Sequence, residues 1–281
     1  MTVVCSQPVS HGWTSAGALR LHHLRWEGGP GDEAGESTDG DATPIVCLHG
    51  VCGQAWAWNA AAPLLAARGP VLALDMRGHG GSSWAPDGDY STATMATDIA
   101  TALDQLGLGP VDLVGLSWGG LVGATLAAAR SDLVRRLVMV DVPPVFGQAV
   151  DDLPARPGSF ETLDEVIAFE AAANAHAPAE HVAVLASGSV RPGAGGLERC
   201  HDPYFLGEWP FRAEDHWPAV GGVTCPALLV RAANSFVLSE ELAAAEAQAL
   251  GAELVEIGPS GHLVPVDQPA LFAEAVLTFL A

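Results

Sequence analysis

The chain of 281 residues has no lysine; its twelve basic residues are all arginines, set against 33 aspartates and glutamates. The resulting formal net charge of −21 argues against a nucleic-acid partner, because a polyanion would be repelled. Charged residues are few overall, 16% against 49% hydrophobic, which excludes a disordered chain and describes a globular one. No apolar run reaches the roughly 20 residues that a bilayer span requires, so no membrane association is expected. The first residues, MTVVCSQPVSHGW, lack a basic flank and a long apolar stretch, so the expected location is cytoplasmic. Cysteine is scarce and odd in number, five in all, so reduced thiols are the default. Cys47 and Cys52 bracket LHGV, yet no second ligand pair stands at metal spacing, and neither metal nor cofactor is expected. The adjacent His22 and His23 point to opposite faces of a strand and cannot readily chelate. GHGGS, although rich in glycine, has neither the lysine nor the helix of a phosphate loop. No internal repeat is present.

What the chain does have is alternation. LRLHHLRW, PIVCLHG, PVLALDMRG, VDLVGLS and RRLVMVDVPP read as strands, with helices expected over 55–68, 92–107 and 118–130 between the later ones. The rhythm resumes with PALLVRA, a helix over 239–250, AELVEIG and a last helix over 268–280. Short apolar runs bounded by Gly or Pro, joined by helices, predict an α/β fold with a mostly parallel sheet and helices on both faces. The Gly- and acid-rich stretch 28–42 reads as a solvated hairpin loop. Between about 143 and 222 the alternation breaks, and this stretch reads as an inserted cap. The core is then 1–142 with 223–281.

VDLVGLSWGGLVGATLAAA, residues 111–129, surrounds one serine with glycines. Either Ser117 is a polar residue tolerated in a packed turn, or the glycines exist to present it. A serine on a tight strand-to-helix turn needs small neighbours, because its backbone is strained and other chains crowd it. Such a turn aims the hydroxyl at the carboxyl end of the sheet, where open α/β sheets bind ligands, and the next helix offers the Trp118 amide to an oxyanion.

With these residues in hand, the chain resembles the α/β-hydrolase superfamily along nearly its whole length. GLSWGG is similar to its nucleophile turn, LHGVCG (48–53) to its oxyanion loop, and DMRGHGGS (75–82) to the turn after the next strand. LVMVDVPP resembles the strand leading into the cap, and GPSGHLVPVDQP (258–269) the loop that carries the catalytic histidine. The resemblance implies a serine nucleophile, Ser117, a base, His262, and an oxyanion hole from the amides of Val51 and Trp118. Serine rather than aspartate at 117 argues against the carboxylate chemistry of haloalkane dehalogenases and epoxide hydrolases. His49 and His79 read as structural residues that hydrogen-bond their own loops.

The chain departs from that family at AANSFVLSEE, where relatives commonly carry the triad acid in Gly-Ala-x-Ser-Asp; Phe236 stands at the carboxylate position. The candidate acids are Asp141, Glu240, Glu241 and Asp267. Asp267 reads more simply as the cap of the last helix, and the glutamates as solvated residues of a first helical turn. Asp141, at the end of the strand after the nucleophile helix, is the favoured position, since some superfamily members place the acid there. The alternative is no acid at all, with a non-hydrolytic role as lyase, cyclase or small-molecule receptor.

Trp56, Trp58, Trp118 and Phe236, with Phe146, Tyr204, Phe205, Trp209 and Phe211 from the cap, suggest an aromatic pocket. The substrate class expected is a hydrophobic, uncharged or weakly charged ester, thioester, lactone or cleavable diketone. The cap should be mostly helical and cover Ser117.

Overall fold

The computed structural model describes residues 8–28, 43–146 and 156–281. Most of the stretch 28–42 that reads as a loop therefore lies outside the described residues, as does 147–155.

Eleven strands are described, eight of them in one sheet: β1 (Val9–Ala16), β2 (Leu19–Trp26), β3 (Ile45–Leu48), β4 (Val71–Leu74), β5 (Val111–Leu116), β6 (Val134–Val140), β10 (Ala227–Ala232) and β11 (Glu253–Ile257). Their order across the sheet is β1-β2-β4-β3-β5-β6-β10-β11, and β2 runs antiparallel to both of its neighbours while the others are parallel. β3, β4, β5 and β10 are buried along their whole length, which is why they read as continuous apolar runs. β1 escapes the sequence reading because it is an edge strand, VSHGWTSA, with polar residues and a glycine along its length. The His23 ring packs over that glycine, where a Cβ would lie 2.4 Å from its Nε2.

The helices are α1 (Ala62–Leu65), α2 (Thr92–Leu106), α3 (Trp118–Ala129), α4 (Leu163–Ala173), α5 (Ala179–Gly188), α6 (Trp217–Gly221), α7 (Glu240–Leu250), α8 (Val264–Asp267) and α9 (Pro269–Leu280). α2 starts where Ser91 accepts a hydrogen bond from the Thr94 amide and stops at Gly107, whose φ is +64°. The helix expected over 55–68 is instead a 3-10 turn, Ala55–Trp58, followed by the single turn α1. The Gln54 side chain caps the first piece, and Pro63, without an N–H, belongs to the first turn of the second and interrupts a continuous helix.

The register lines up the carboxyl ends of the central strands. Leu48 pairs with Gly115, Leu116 with Val140, Val140 with Val230, and Ala232 with Ile257. The loops after β3, β5, β6, β10 and β11 therefore leave the sheet along one edge.

The excursion between β6 and β10 is described to Phe146 and again from Arg156. It holds α4 and α5 and a separate antiparallel sheet of β7 (Ser159–Phe160), β9 (Gly196–Arg199) and β8 (Val190–Gly193). The sequence reading has helices here but no sheet; these strands are two to four residues long, too short to show alternation. α6 lies inside the expected cap boundaries yet packs on α3 and α7, with the core helices.

Candidate active site

Ser117 stands between β5 and α3 with φ 53° and ψ −128°, a conformation that costs an ordinary residue strain and persists only where the surroundings impose it. Its amide donates to the Val140 carbonyl at 2.8 Å, and its carbonyl accepts from the Gly120 amide at 2.7 Å. The glycines around it are explained by close backbone approach. A Cβ on Gly115 would lie 2.3 Å from the Gly119 carbonyl oxygen, one on Gly119 2.4 Å from that of Leu48, and one on Gly50 2.9 Å from Ser117 Cβ. Backbone atoms cannot step aside, so the turn exists only with these glycines.

His262, in the loop after β11, points Nδ1 at Asp141 Oδ2, 2.8 Å away. Asp141 is fully buried and also has positive φ, 50°. Its Oδ1 accepts the Ala232 amide at 3.0 Å and its Oδ2 the Ser235 hydroxyl at 2.9 Å. Because both oxygens are engaged, the carboxylate is fixed in one orientation, and it accepts a hydrogen bond from Nδ1–H of the imidazole, leaving Nε2 as the acceptor. Phe236 lies over His262 with ring centres 5.6 Å apart.

The other candidate acids are elsewhere. Glu240 and Glu241 are exposed in the first turn of α7. Asp267 is buried, but it ends α8 rather than capping α9, whose N-cap is Gln268. Its Oδ2 accepts the Gly261 amide at 2.7 Å, so it fastens the backbone next to His262. Burial raises its pKa above the usual carboxylate value.

The loop after β3 is held by two buried imidazoles. His49 Nε2 accepts the Met76 amide at 3.0 Å, so its Nδ1–H donates to the Gly50 carbonyl at 2.7 Å. His79 Nε2 accepts the Cys52 amide at 3.2 Å, and its Nδ1–H donates to the Arg77 carbonyl at 2.9 Å. Both tautomers are neutral, and burial holds both pKa values below the ordinary histidine value, that of His79 well below. Between these anchors Val51 lines the cavity, and among the described contacts neither its amide nor that of Trp118 donates to a protein acceptor. His22 is also a structural residue: Nδ1 pairs with Asp75 at 2.7 Å and Nε2 with His11 at 2.9 Å.

Ser117 and His262 line one cavity of about 310 Å³. Its walls include Leu116, Phe146, Phe236 and Leu263, with Phe169, Leu185, Trp209 and Phe211 from the excursion. Two expected pocket residues are not there. Trp58 is fully buried against Phe272 on the far side of the 3-10 turn, and Trp56 packs on Gly188 and His11. A four-residue 3-10 turn points its two tryptophans away from the cavity and leaves Ala57 facing it. Tyr204 and Phe205 are likewise outside the lining, and the Trp118 ring donates to Thr92 Oγ1 and packs between Phe205 and Phe211. Among the described residues no group of three or more His, Cys, Asp or Glu side chains could hold a metal ion. No described helix is long and apolar enough to cross a membrane.

The family model for the alpha/beta hydrolase fold matches residues 43–177. An esterase of Mycobacterium tuberculosis is 33% identical over 255 residues, covering 84% of this chain and 82% of its own. The chain belongs to the α/β-hydrolase family. Within it, a 2-(acetamidomethylene)succinate hydrolase of Mesorhizobium japonicum is 29% identical over 86% of this chain and 89% of its own. A crystal structure of E-2-(acetamidomethylene)succinate hydrolase superposes with a TM-score of 0.86 at 27% identity, covering 97% of this chain and 99% of that one. The chain is thus an α/β-fold hydrolase, and the expected family and fold hold.

Sequence reasoning passed over Ser235. It sits one residue before Phe236 in the departing segment, and its hydroxyl also accepts the Leu238 amide at 2.9 Å. The signal was available: a segment that loses its own acid can still carry a donor for an acid that approaches from the next strand.

Proposed function

We propose that this hydrolase works through a serine nucleophile on a hydrophobic ester, thioester, lactone or diketone-like substrate. The observation that carries the reading is the 2.8 Å contact of His262 Nδ1 with a buried, doubly held Asp141, on the cavity that Ser117 also lines. A serine hydroxyl needs an adjacent base at neutral pH. His262 Nε2 takes the Ser117 proton as Oγ attacks the carbonyl carbon, and Asp141 stabilises the imidazolium. The amides of Val51 and Trp118 receive the negative charge that develops on the carbonyl oxygen. His262 then gives its proton to the leaving group, and water repeats the sequence in reverse to free Ser117.

In this reading the excursion ahead of α6 acts as the cap over the nucleophile, since Phe169, Leu185, Trp209 and Phe211 close the cavity from that side. The apolar walls favour an apolar group beside the scissile bond. The free thiols Cys47, Cys52, Cys200 and Cys225 are in keeping with a cytoplasmic enzyme.

A fluorophosphonate probe tests the mechanism. Labelling of the wild type that disappears in Ser117→Ala supports an activated nucleophile. A folded wild type that stays unlabelled overturns it in favour of the lyase, cyclase or receptor reading.

A further inference from the structure

The cavity is not uniformly apolar. Arg156, Glu170 and Ser189 line it, and Arg199 stands against the last two. Glu170 Oε1 accepts from Arg199 Nη1 at 2.7 Å and from Arg156 Nη2 at 3.1 Å, and Oε2 accepts from the same Arg156 nitrogen at 3.3 Å. Arg199 Nη1 also donates to Ser189 Oγ at 3.0 Å, and its Nε to the Pro157 carbonyl at 3.3 Å. Among the described residues one carboxylate therefore faces two guanidinium groups, leaving one excess positive charge.

Half of that pair is buried: Arg199 is only 4% exposed, and its Nη2 has no acceptor among the described residues. The Arg156 side chain keeps 30% exposure, but its Nε is buried without a described partner. The rings of Phe160 and Phe169 lie 4.8 and 5.2 Å from the Arg199 guanidinium carbon, and Phe169 lies 5.4 Å from that of Arg156. They fix the planes of both forks but supply no countercharge. An unpaired cation in an apolar wall costs free energy, and burial draws the Arg199 pKa down. Arg68 and Arg135 surround Asp112 in the same way, but that trio does not line the cavity that Ser117 and His262 share.

We propose that Arg156, with Arg199 behind it adding positive charge, forms a carboxylate-binding subsite of this cavity, and that the substrate carries a carboxylate beyond its apolar segment. A single excess charge matches a monoanionic carboxylate better than a phosphate dianion, and a fixed fork suits its planar geometry. Of the expected uncharged or weakly charged substrates, this selects the charged ones. It rests on the hydrolase reading for the bond that is cut, but not for binding.

The test separates the two. Ser117→Ala protein is titrated calorimetrically with monomethyl succinate, glutarate and adipate, each beside its neutral dimethyl ester. At least one monoanion should bind about tenfold or more tightly than its diester. Arg156→Gln should abolish that ratio, Arg156→Lys should keep part of it, and Glu170→Gln, by raising the excess charge, should widen it. Circular dichroism establishes that each variant is folded, and the lysine variant carries the test if the glutamine one is not. Equal binding of monoanion and diester, no binding of any monoanion, or a ratio unchanged in Arg156→Gln overturns the subsite. In the wild type, p-nitrophenyl hemiglutarate over the valerate ester reads a carboxylate on the acyl side. The ester 4-acetoxybutanoate over butyl acetate reads one on the leaving group. A preference in either pair supports the proposal, and hydrolysis of all four with no preference overturns it. Monoanion binding without turnover or probe labelling would instead sink the hydrolase reading alone.

Discussion

His262 Nδ1 and Asp141 Oδ2 meet at 2.8 Å across 121 residues of sequence. The contact joins the loop after β11 to the end of β6, with β10 lying between the two strands. Asp141→Asn should leave the fold intact, because an amide oxygen can still accept from Ala232. It turns the partner of Nδ1 into a group that no longer enforces the tautomer or stabilises the imidazolium. Turnover of a p-nitrophenyl ester should fall by roughly 10³–10⁴-fold, as loss of a triad acid does in serine hydrolases generally. Near-normal turnover in the folded variant would remove Asp141 from the mechanism.

Ser235 is a positioning residue that acts through Asp141. Its hydroxyl donates to Oδ2 at 2.9 Å while the Leu238 amide donates to its oxygen at 2.9 Å. Ser235→Ala should lower kcat by about tenfold with KM little changed, since the carboxylate rather than the substrate loses a restraint. Ser235→Thr, which keeps the hydroxyl, should restore most of kcat. An alanine variant whose only change is lower stability would show the hydroxyl to be structural.

The contact of Asp141 with His262 also shows where sequence is a sufficient guide. The glycines at 115 and 119 and the serine between them are legible because close backbone approach leaves a residue no alternative. The same holds for Asp141, whose place at a strand end follows from the alternation of β and α. The direction of a side chain in an irregular segment is not fixed this way. Trp56 and Trp58 follow the loop after β3 in sequence, yet the 3-10 turn directs them into packing against Gly188 and Phe272. The Arg156–Glu170–Arg199 cluster brings together the segment that resumes at Arg156, a helix and a strand of the small sheet, and no local spacing announces it.

The two kinds of glycine predict opposite responses. Gly119→Ala would press a Cβ to 2.4 Å from the Leu48 carbonyl oxygen, in a place where only backbone could move. It should destabilise by about 1–3 kcal/mol or prevent folding. Gly221, in α6, has no heavy atom within 4 Å of the corresponding position. Gly221→Ala should be neutral or stabilising by up to about 1 kcal/mol. Urea midpoints of the two variants check the pair, and equal midpoints would contradict the crowding argument.

Stability should depend on pH with two opposed contributions. Burial holds the pKa values of His49 and His79 below the ordinary 6.5, and those of His11, His23 and His201 shift the same way. The unfolded chain then binds protons that the folded chain refuses, so this contribution is complete above about pH 6.5 and is lost progressively as pH falls below it. Glu246 acts in the other direction. It is fully buried on α7, neither carboxyl oxygen has a partner, and burial, reinforced by the charge of Asp141, raises its pKa well above the usual value. An acid raised in the folded state penalises folding at high pH, and the penalty fades as pH drops through its folded pKa toward 4.5. Thermal midpoints measured from pH 8 to 5 in the wild type should therefore fall only gently. Glu246→Gln removes the more strongly shifted of two compensating acids, the other being Asp267, so it should raise the midpoint at pH 8 and steepen the fall below pH 6.5. Parallel profiles for the two proteins would mean that Glu246 does not titrate in the folded state differently from the unfolded one.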